Sequence, residues 1–103
     1  TIAKSGLTQM SRLAAIELSK YNIRVNTIHP DSVYDTDVWS DDILKVRSKQ
    51  YGLSISEYKR RNLLKTDVSS ADVAELVAFF ASSKSSKTTG AQIPVDGGND
   101  RII

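Results

Sequence analysis

The chain has 103 residues and a mass of 11.3 kDa, of which 40% are hydrophobic and 25% charged, the usage of an ordinary soluble domain rather than of a disordered tail. The absence of Cys and the single His exclude a disulfide framework, a thiolate nucleophile and a His-rich metal site, so no metal is expected. The net charge of +2 comes from 14 basic and 12 acidic residues that are interspersed, which is too mild to imply nucleic acid, and no apolar run is long enough for a transmembrane helix.

The length fits one small domain with a thin core, because a chain of this size buries only roughly 60–70% of its unfolded surface. The opening Thr1-Ile2-Ala3-Lys4 has no initiator Met and reads like the middle of a helix. No basic region followed by an apolar core marks a signal peptide. A piece of a larger cytoplasmic protein is expected.

The first 20 residues predict an amphipathic helix. Ala3, Leu7, Met10, Ala14 and Leu18 recur at spacings of three and four, and Leu13 and Ile16 widen the face. Asn22 is a natural stop, since Asn tolerates the left-handed conformation. Residues 23–29 are rich in β-branched side chains and predict a largely buried strand ended by Pro30. Pro30 to Asp41 reads as a loop. Residues 41–50 and 55–64 read as two short polar helices separated at Gly52, and so sparse in apolar residues that they must lie over something else as a lid.

Ser69 with Asp72 predicts a capping box, and Val68 with Val73 a hydrophobic staple. Val73, Leu76, Val77 and Phe80 then form a core stripe to Ala81. Residues 82–86 read as a serine-rich loop. Ala91 to Val95 predicts a short strand, with Pro94 marking an edge or an end. Asp96-Gly97-Gly98 reads as a turn that lets the backbone pack closely. Helical cover between two strands implies a parallel pair with a right-handed crossover. Two strands are too few for a stable open sheet, so the missing strands are expected upstream.

Several separated motifs then match in order. Lys4-Ser-Gly-Leu-Thr, Ala15-Ile-Glu-Leu, Ile23-Arg-Val-Asn-Thr-Ile-His-Pro, Asp72-Val-Ala-Glu, and Thr89-Gly90 with Val95-Asp-Gly-Gly98 resemble the C-terminal part of short-chain dehydrogenases/reductases. Asn62-Leu-Leu-Lys65, the long segment after Pro30-Asp31, and Lys87 to Asn99 resemble one branch, the dehydrogenase domain of bifunctional rhamnulose-1-phosphate aldolase/alcohol dehydrogenases. The resemblance implies an α/β chain: the last two parallel strands and flanking helices of a Rossmann-type doubly wound sheet, residues 1–103 being the C-terminal fragment of one NAD(P)-binding domain. It implies hydride transfer between NAD or NADP, with NAD favoured, and a small alcohol or aldehyde. Lactaldehyde from deoxysugar (rhamnose) metabolism is the expected substrate if the branch holds.

In this family a Tyr-x-x-x-Lys pair on a helix does the acid–base work. The match falls on Lys4, and the Tyr would be the residue before Thr1. Residues four apart share a helix face. A nearby ammonium favours the phenolate, which lowers the phenol toward working pH. Lys4 would also reach the cofactor ribose. The family loop Pro-Gly-x-Val-x-Thr binds the nicotinamide carboxamide. Pro30 and Val33 match it, Asp31 replaces the Gly, and Asp35 stands where the Thr would be, with Thr36 next. Asp at the Gly position would adopt a positive φ. Residues 37–67 would be the substrate loop and lid, carrying Trp39. The Gly-rich loop, the Ser and the Tyr are not in this chain, so the fragment alone is expected to be inactive.

Blander readings stand beside these. An isolated early-helix Lys is usually solvated. His29 could shuttle protons but reads better as structural. Asp35 and Asp37 could form a carboxylate pair, or a solvated loop. Lys59-Arg60-Arg61 could meet phosphate or nucleic acid, but a solvated basic face is the preferred reading. Trp39 could line a substrate pocket or anchor the lid. The whole chain could be a non-catalytic folding or oligomerisation module, associating through the Ala3–Leu18 stripe. A homo-oligomer is expected in either case, with no membrane or nucleic-acid partner.

Overall fold

The computed structural model describes residues 2–98. The element order is α1 (Ile2–Leu18), a 3₁₀ turn (Ser19–Tyr21), β1 (Thr27–Pro30), α2 (Asp41–Gln50), α3 (Ile55–Lys59), α4 (Ser70–Ala81), a second 3₁₀ turn (Ser83–Ser85) and β2 (Gln92–Val95). β1 and β2 pair in one two-stranded sheet. Thr27 N–H donates to the Ala91 carbonyl at 2.9 Å and Asp31 N–H to the Val95 carbonyl at 3.3 Å. Both partners advance in the same direction, so the strands are parallel. The chain is an α/β fold with two parallel strands and flanking helices. It divides into two compact units, one of Thr1–His29 and Glu75–Ile93, the other of Pro30–Ala74 and Pro94–Ile103.

In the first unit, the 3₁₀ turn that follows α1 ends where Asn22 takes φ 59°, the left-handed cap its side chain tolerates. Its predicted apolar stripe does not become a core within this chain. Met10 is 60% and Ile16 71% exposed, and the one buried residue of the helix is Ala15. A Cβ added at Gly90 would stand 3.7 Å from that of Ala15, so the small residues bring these segments together.

The predicted strand over 23–29 is shorter than expected, and it is half-buried rather than buried. Residues 24–26 bond instead to the loop that precedes β2. Arg24 donates from Nη1 to the Ser85 carbonyl (2.9 Å), Ser85 Oγ (3.0 Å) and the Thr88 carbonyl (3.2 Å), and from Nη2 to the carbonyls of Phe80 (3.0 Å) and Ser82 (3.1 Å). The last carbonyls of α4 thus receive a cation. Asn26 donates to the Thr88 carbonyl and accepts from Ala91 N–H. The predicted stripe of α4 is also only partly covered: none of its residues is buried, and Val77 is 48% exposed.

In the second unit, α2 begins at Ser40, whose Oγ accepts from Ile43 N–H. Gly52, at φ 66°, ends that helical segment as expected. A capping box of Ser54 and Glu57 starts α3. The second lid helix is shorter than predicted: it stops at Lys59, and Asn62 to Thr66 form a turn in which Asn62 bonds both ways with Thr66. The predicted capping box of α4 is present, with Asp72 N–H donating to Ser69 Oγ at 3.2 Å and Ser69 N–H to Asp72 Oδ2 at 2.8 Å.

The Gly97-Gly98 turn packs closely, as its sequence suggests. Leu63 N–H donates to the Gly98 carbonyl and Leu64 N–H to the Gly97 carbonyl. The core of this unit is Tyr34, Leu44 and Tyr58, with Trp39, Leu53 and Ile55 packed against it.

Candidate functional site

The bend that follows β1 is built by its own polar groups. Pro30 ends the strand exposed, and Asp31 makes its last ladder bond. The left-handed residue of the bend is Ser32, at φ 56°, not Asp31 as the family pattern suggested. Asp31 lies in the ladder, so the reversal falls one residue later. Thr36 Oγ1 donates to the Val33 carbonyl at 2.9 Å, and Trp39 N–H donates to the Thr36 carbonyl at 3.0 Å. Each turn of the bend thus carries an internal hydrogen bond.

Two anchors hold this bend. The Asp35 carboxylate accepts from Ser70 N–H (2.9 and 3.1 Å) and from Ser70 Oγ (2.9 Å), at the first residue of α4. An anion there is favoured by the unpaired N–H groups and by the helix dipole. Tyr34 is the second anchor, only 7% exposed. Its ring lies edge-on to Trp39 at 4.7 Å between centroids and 5.8 Å from Tyr58. Arg61 stacks on the same group, 4.0 Å from the Tyr58 ring centre and 4.4 Å from that of Tyr51. Burial holds the Tyr58 phenol above its ordinary range, reinforced by Tyr34 and opposed by the Arg61 charge.

Pro30, Val33, Asp35, Thr36 and Trp39 therefore sit in one continuous, internally bonded stretch of the second unit. Trp39 is half-buried as an anchor of the aromatic cluster. Asp37 is exposed, and Asp35 is engaged at α4 rather than with Asp37. Among the described residues no group of three or more His, Asp or Glu could hold a metal ion. The basic run 59–61 is divided: Arg60 pairs with Asp67 at 3.5 Å, and Arg61 turns onto the tyrosines.

Lys4 lies in the first unit, on the exposed first turns of α1, where its carbonyl accepts from Thr8 Oγ1 at 3.1 Å. His29 pairs across the sheet, its Nε2 2.6 Å from Gln92 Oε1, while Gln92 Nε2 donates to Thr27 Oγ1. That second bond ties the amide to Thr27, and His29 serves the strand pair. In sequence Arg61 reads as part of a solvated basic face, whereas it stacks on the tyrosines, and no role attaches to Arg24 or to the Asp35–Ser70 contact. Only the family of helix-start residues around Ser69 carried a local signal for the last.

Comparison with known proteins decides the relationship. A family profile described as Enoyl-(Acyl carrier protein) reductase matches residues 1–100. The chain belongs to the short-chain dehydrogenase/reductase family. It is 38% identical over 96 residues to the uncharacterized oxidoreductase YuxG of Bacillus subtilis, covering 88% of this chain and 14% of that protein. Its fold matches a short chain dehydrogenase family protein from Francisella tularensis with a TM-score of 0.76 at 35% identity, over 97% of this chain and 42% of the other.

Two further short-chain dehydrogenase/reductase structures match with a TM-score of 0.75. Carveol dehydrogenase from Mycobacterium avium, in complex with NAD, is 31% identical over 94% of this chain and 37% of that one. YwfH, an NADPH dependent reductase involved in bacilysin biosynthesis, is 32% identical over 91% and 36%. The two strands and their helices are thus part of a short-chain dehydrogenase/reductase Rossmann fold. The chain spans 14% of YuxG and about a third of the other curated relatives it matches. Among the described residues no helix is long and apolar enough to cross a membrane.

Proposed function

We propose that the protein carrying this chain is an NAD(P)-dependent oxidoreductase that moves hydride between nicotinamide and a small alcohol or aldehyde. Residues 1–103 are the C-terminal fragment of its nucleotide-binding domain, and 37–67 are its substrate lid. The observation that carries this reading is the bend 30–36, anchored at the carboxyl end of β1, where doubly wound sheets take their ligands.

The residues of the bend suit a nicotinamide carboxamide. Thr36 Oγ1 gives its proton to the Val33 carbonyl and keeps lone pairs to accept an amide N–H. Pro30 and Val33 supply the apolar edge. Asp35 contributes by fixing the bend to α4. When bound, the nicotinamide supplies the hydride acceptor or donor. Lys4 would hold the cofactor ribose and, by its charge, would keep a tyrosine on the preceding turn as the phenolate that accepts the alcohol proton. Trp39 closes the lid side of the substrate pocket.

NAD is the favoured cofactor and lactaldehyde the favoured substrate, the latter on the resemblance of Asn62 to Lys65 and Lys87 to Asn99 to the rhamnulose-1-phosphate aldolase/alcohol dehydrogenase branch. The exposed α1 stripe is the surface on which the rest of the domain, or a second subunit of a homo-oligomer, packs; the working site is cytoplasmic. Absorbance of reduced nicotinamide tests this. The full-length protein oxidises NADH with lactaldehyde, and Lys4→Met abolishes turnover. The 103-residue chain alone gives none. Turnover by the isolated chain, or an unimpaired Lys4→Met enzyme, overturns the reading. Absence of turnover by the full-length protein leaves the second reading, a non-catalytic folding or oligomerisation module, supported by the exposure of Met10 and Ile16 on α1.

A further inference from the structure

Arg61 reads in sequence as one third of a solvated basic run, yet its guanidinium is placed with care. It lies 4.0 Å from the centre of the Tyr58 ring and 4.4 Å from that of Tyr51. Its Nε donates to the Tyr58 carbonyl at 3.0 Å, which fixes the plane of the fork between the two rings. Tyr58 is 3% exposed and stands 5.8 Å from Tyr34, while Tyr51 is largely exposed and 5.5 Å from Tyr58. Tyr34 belongs to the bend itself. A continuous set of contacts therefore runs from Arg61 through Tyr58 to Tyr34. The only other anchor described for the bend is the one next to Tyr34, Asp35 on Ser70.

We propose that Arg61 is a positioning residue for the 30–36 bend: clamped between Tyr51 and Tyr58, it holds Tyr58 against Tyr34 and so sets the bend in the geometry that receives the nicotinamide ring. This rests on the reading of that bend as the nicotinamide contact. With Arg61 removed, Tyr51 keeps only its contact with Tyr58, and Tyr58 can shift in its site. Tyr34 keeps Trp39 and Leu44 but loses a fixed Tyr58, and the bend leans more on Asp35. A lysine keeps the charge but has no planar fork to lie between two rings.

Calorimetric titration of the full-length protein with NADH and with ADP-ribose tests this. If NADPH binds more tightly than NADH, NADPH and 2′-phospho-ADP-ribose take their places. ADP-ribose keeps the adenosine and pyrophosphate but lacks the ring. Arg61→Met is expected to weaken NADH about five-fold, the size of one cation–π contact, and to leave ADP-ribose within about two-fold. Arg61→Lys falls between Met and the parent. Tyr51→Leu, at an exposed position that folding tolerates, gives a smaller loss with the same selectivity.

Equal weakening of both ligands, or of neither, overturns the proposal, since a residue that merely stabilised the domain would not separate them. Thr36→Ala tests the underlying reading. If it leaves the ratio of NADH to ADP-ribose affinity unchanged, the bend is not the nicotinamide contact and both ideas fall. If Thr36→Ala narrows the ratio and Arg61→Met does not, the role of Arg61 alone is refuted.

Discussion

Asp35 and Ser70, 35 positions apart, form a side-chain cap on α4: one carboxylate oxygen takes the Ser70 N–H at 2.9 Å and the other the Ser70 hydroxyl at 2.9 Å. Removing such a cap costs about 1 kcal/mol. Asp35→Ala is therefore expected to lower the thermal midpoint by several degrees, and Asp35→Asn by less, because the amide oxygen still accepts. Scanning calorimetry on the three proteins checks this. Equal midpoints for Asp35→Ala and the parent would mean the contact contributes nothing.

The two capping boxes give an acid limb to stability. Backbone and hydroxyl hydrogen bonds from Ser69 hold Asp72 below its ordinary value, and those from Ser54 do the same for Glu57. In the unfolded chain both carboxylates take up protons first. Their contribution is thus full above the ordinary carboxylate range and is lost as pH falls through the lowered folded values, that is, below about pH 4. An Asp72→Asn, Glu57→Gln double variant should be less stable at neutral pH and show a shallower loss on acidification. Parallel curves for variant and parent in a pH series of denaturant melts would contradict this.

Arg24 makes five hydrogen bonds to the segment from Phe80 to Thr88. Arg24→Met removes these bonds from a half-buried place, although each carbonyl keeps another donor, and is expected to cost about 2 kcal/mol. Arg24→Lys restores only part, because an ammonium cannot present a planar fork to several acceptors. Urea denaturation midpoints of the two variants should rank in that order.

Gly97 takes φ 67°, and a Cβ there would lie 2.5 Å from Asn62 Cγ. The Asn62 side chain cannot yield easily, since its amide bonds Thr66 in both directions, at 2.7 and 3.1 Å. Gly97→Ala should cost about 2 kcal/mol from strain and overlap together. Combining it with Asn62→Ala should recover the overlap but not the backbone strain. A double-mutant cycle by thermal melts reads this directly, and strict additivity would refute the contact.

Local signals in the chain proved legible. Asn22 marks the end of the 3₁₀ turn that continues α1, Gly52 ends the segment of α2, and Ser69 with Asp72 starts α4, because each effect is complete within four residues. The ordered motifs from Lys4 to Gly98 pointed to the family for the same reason: they are read residue by residue. What stayed hidden depends on distant partners. The backbone of 23–26 looks like strand, but Arg24 and Asn26 find acceptors more than 50 positions away. Lys59 to Asn62 looks like continuing helix, but Arg61 turns onto rings that only the folded unit brings together. The α1 stripe has the right period for a core, yet Met10 and Ile16 stay open, since period says nothing of whether the covering surface is in the same chain.

The long reach of the Arg24 stitch has a consequence for synthesis. Its acceptors lie 56 to 64 positions later, and β2 follows at a similar distance, so β1 leaves the ribosome well before β2. At about 5–20 residues per second, that interval lasts several seconds. An open strand is a nucleus for aggregation over such a time, and proline on the edge is a standard guard against it. Pro30 and Pro94, one in each strand and both facing solvent, remove donors that a stray chain would otherwise capture.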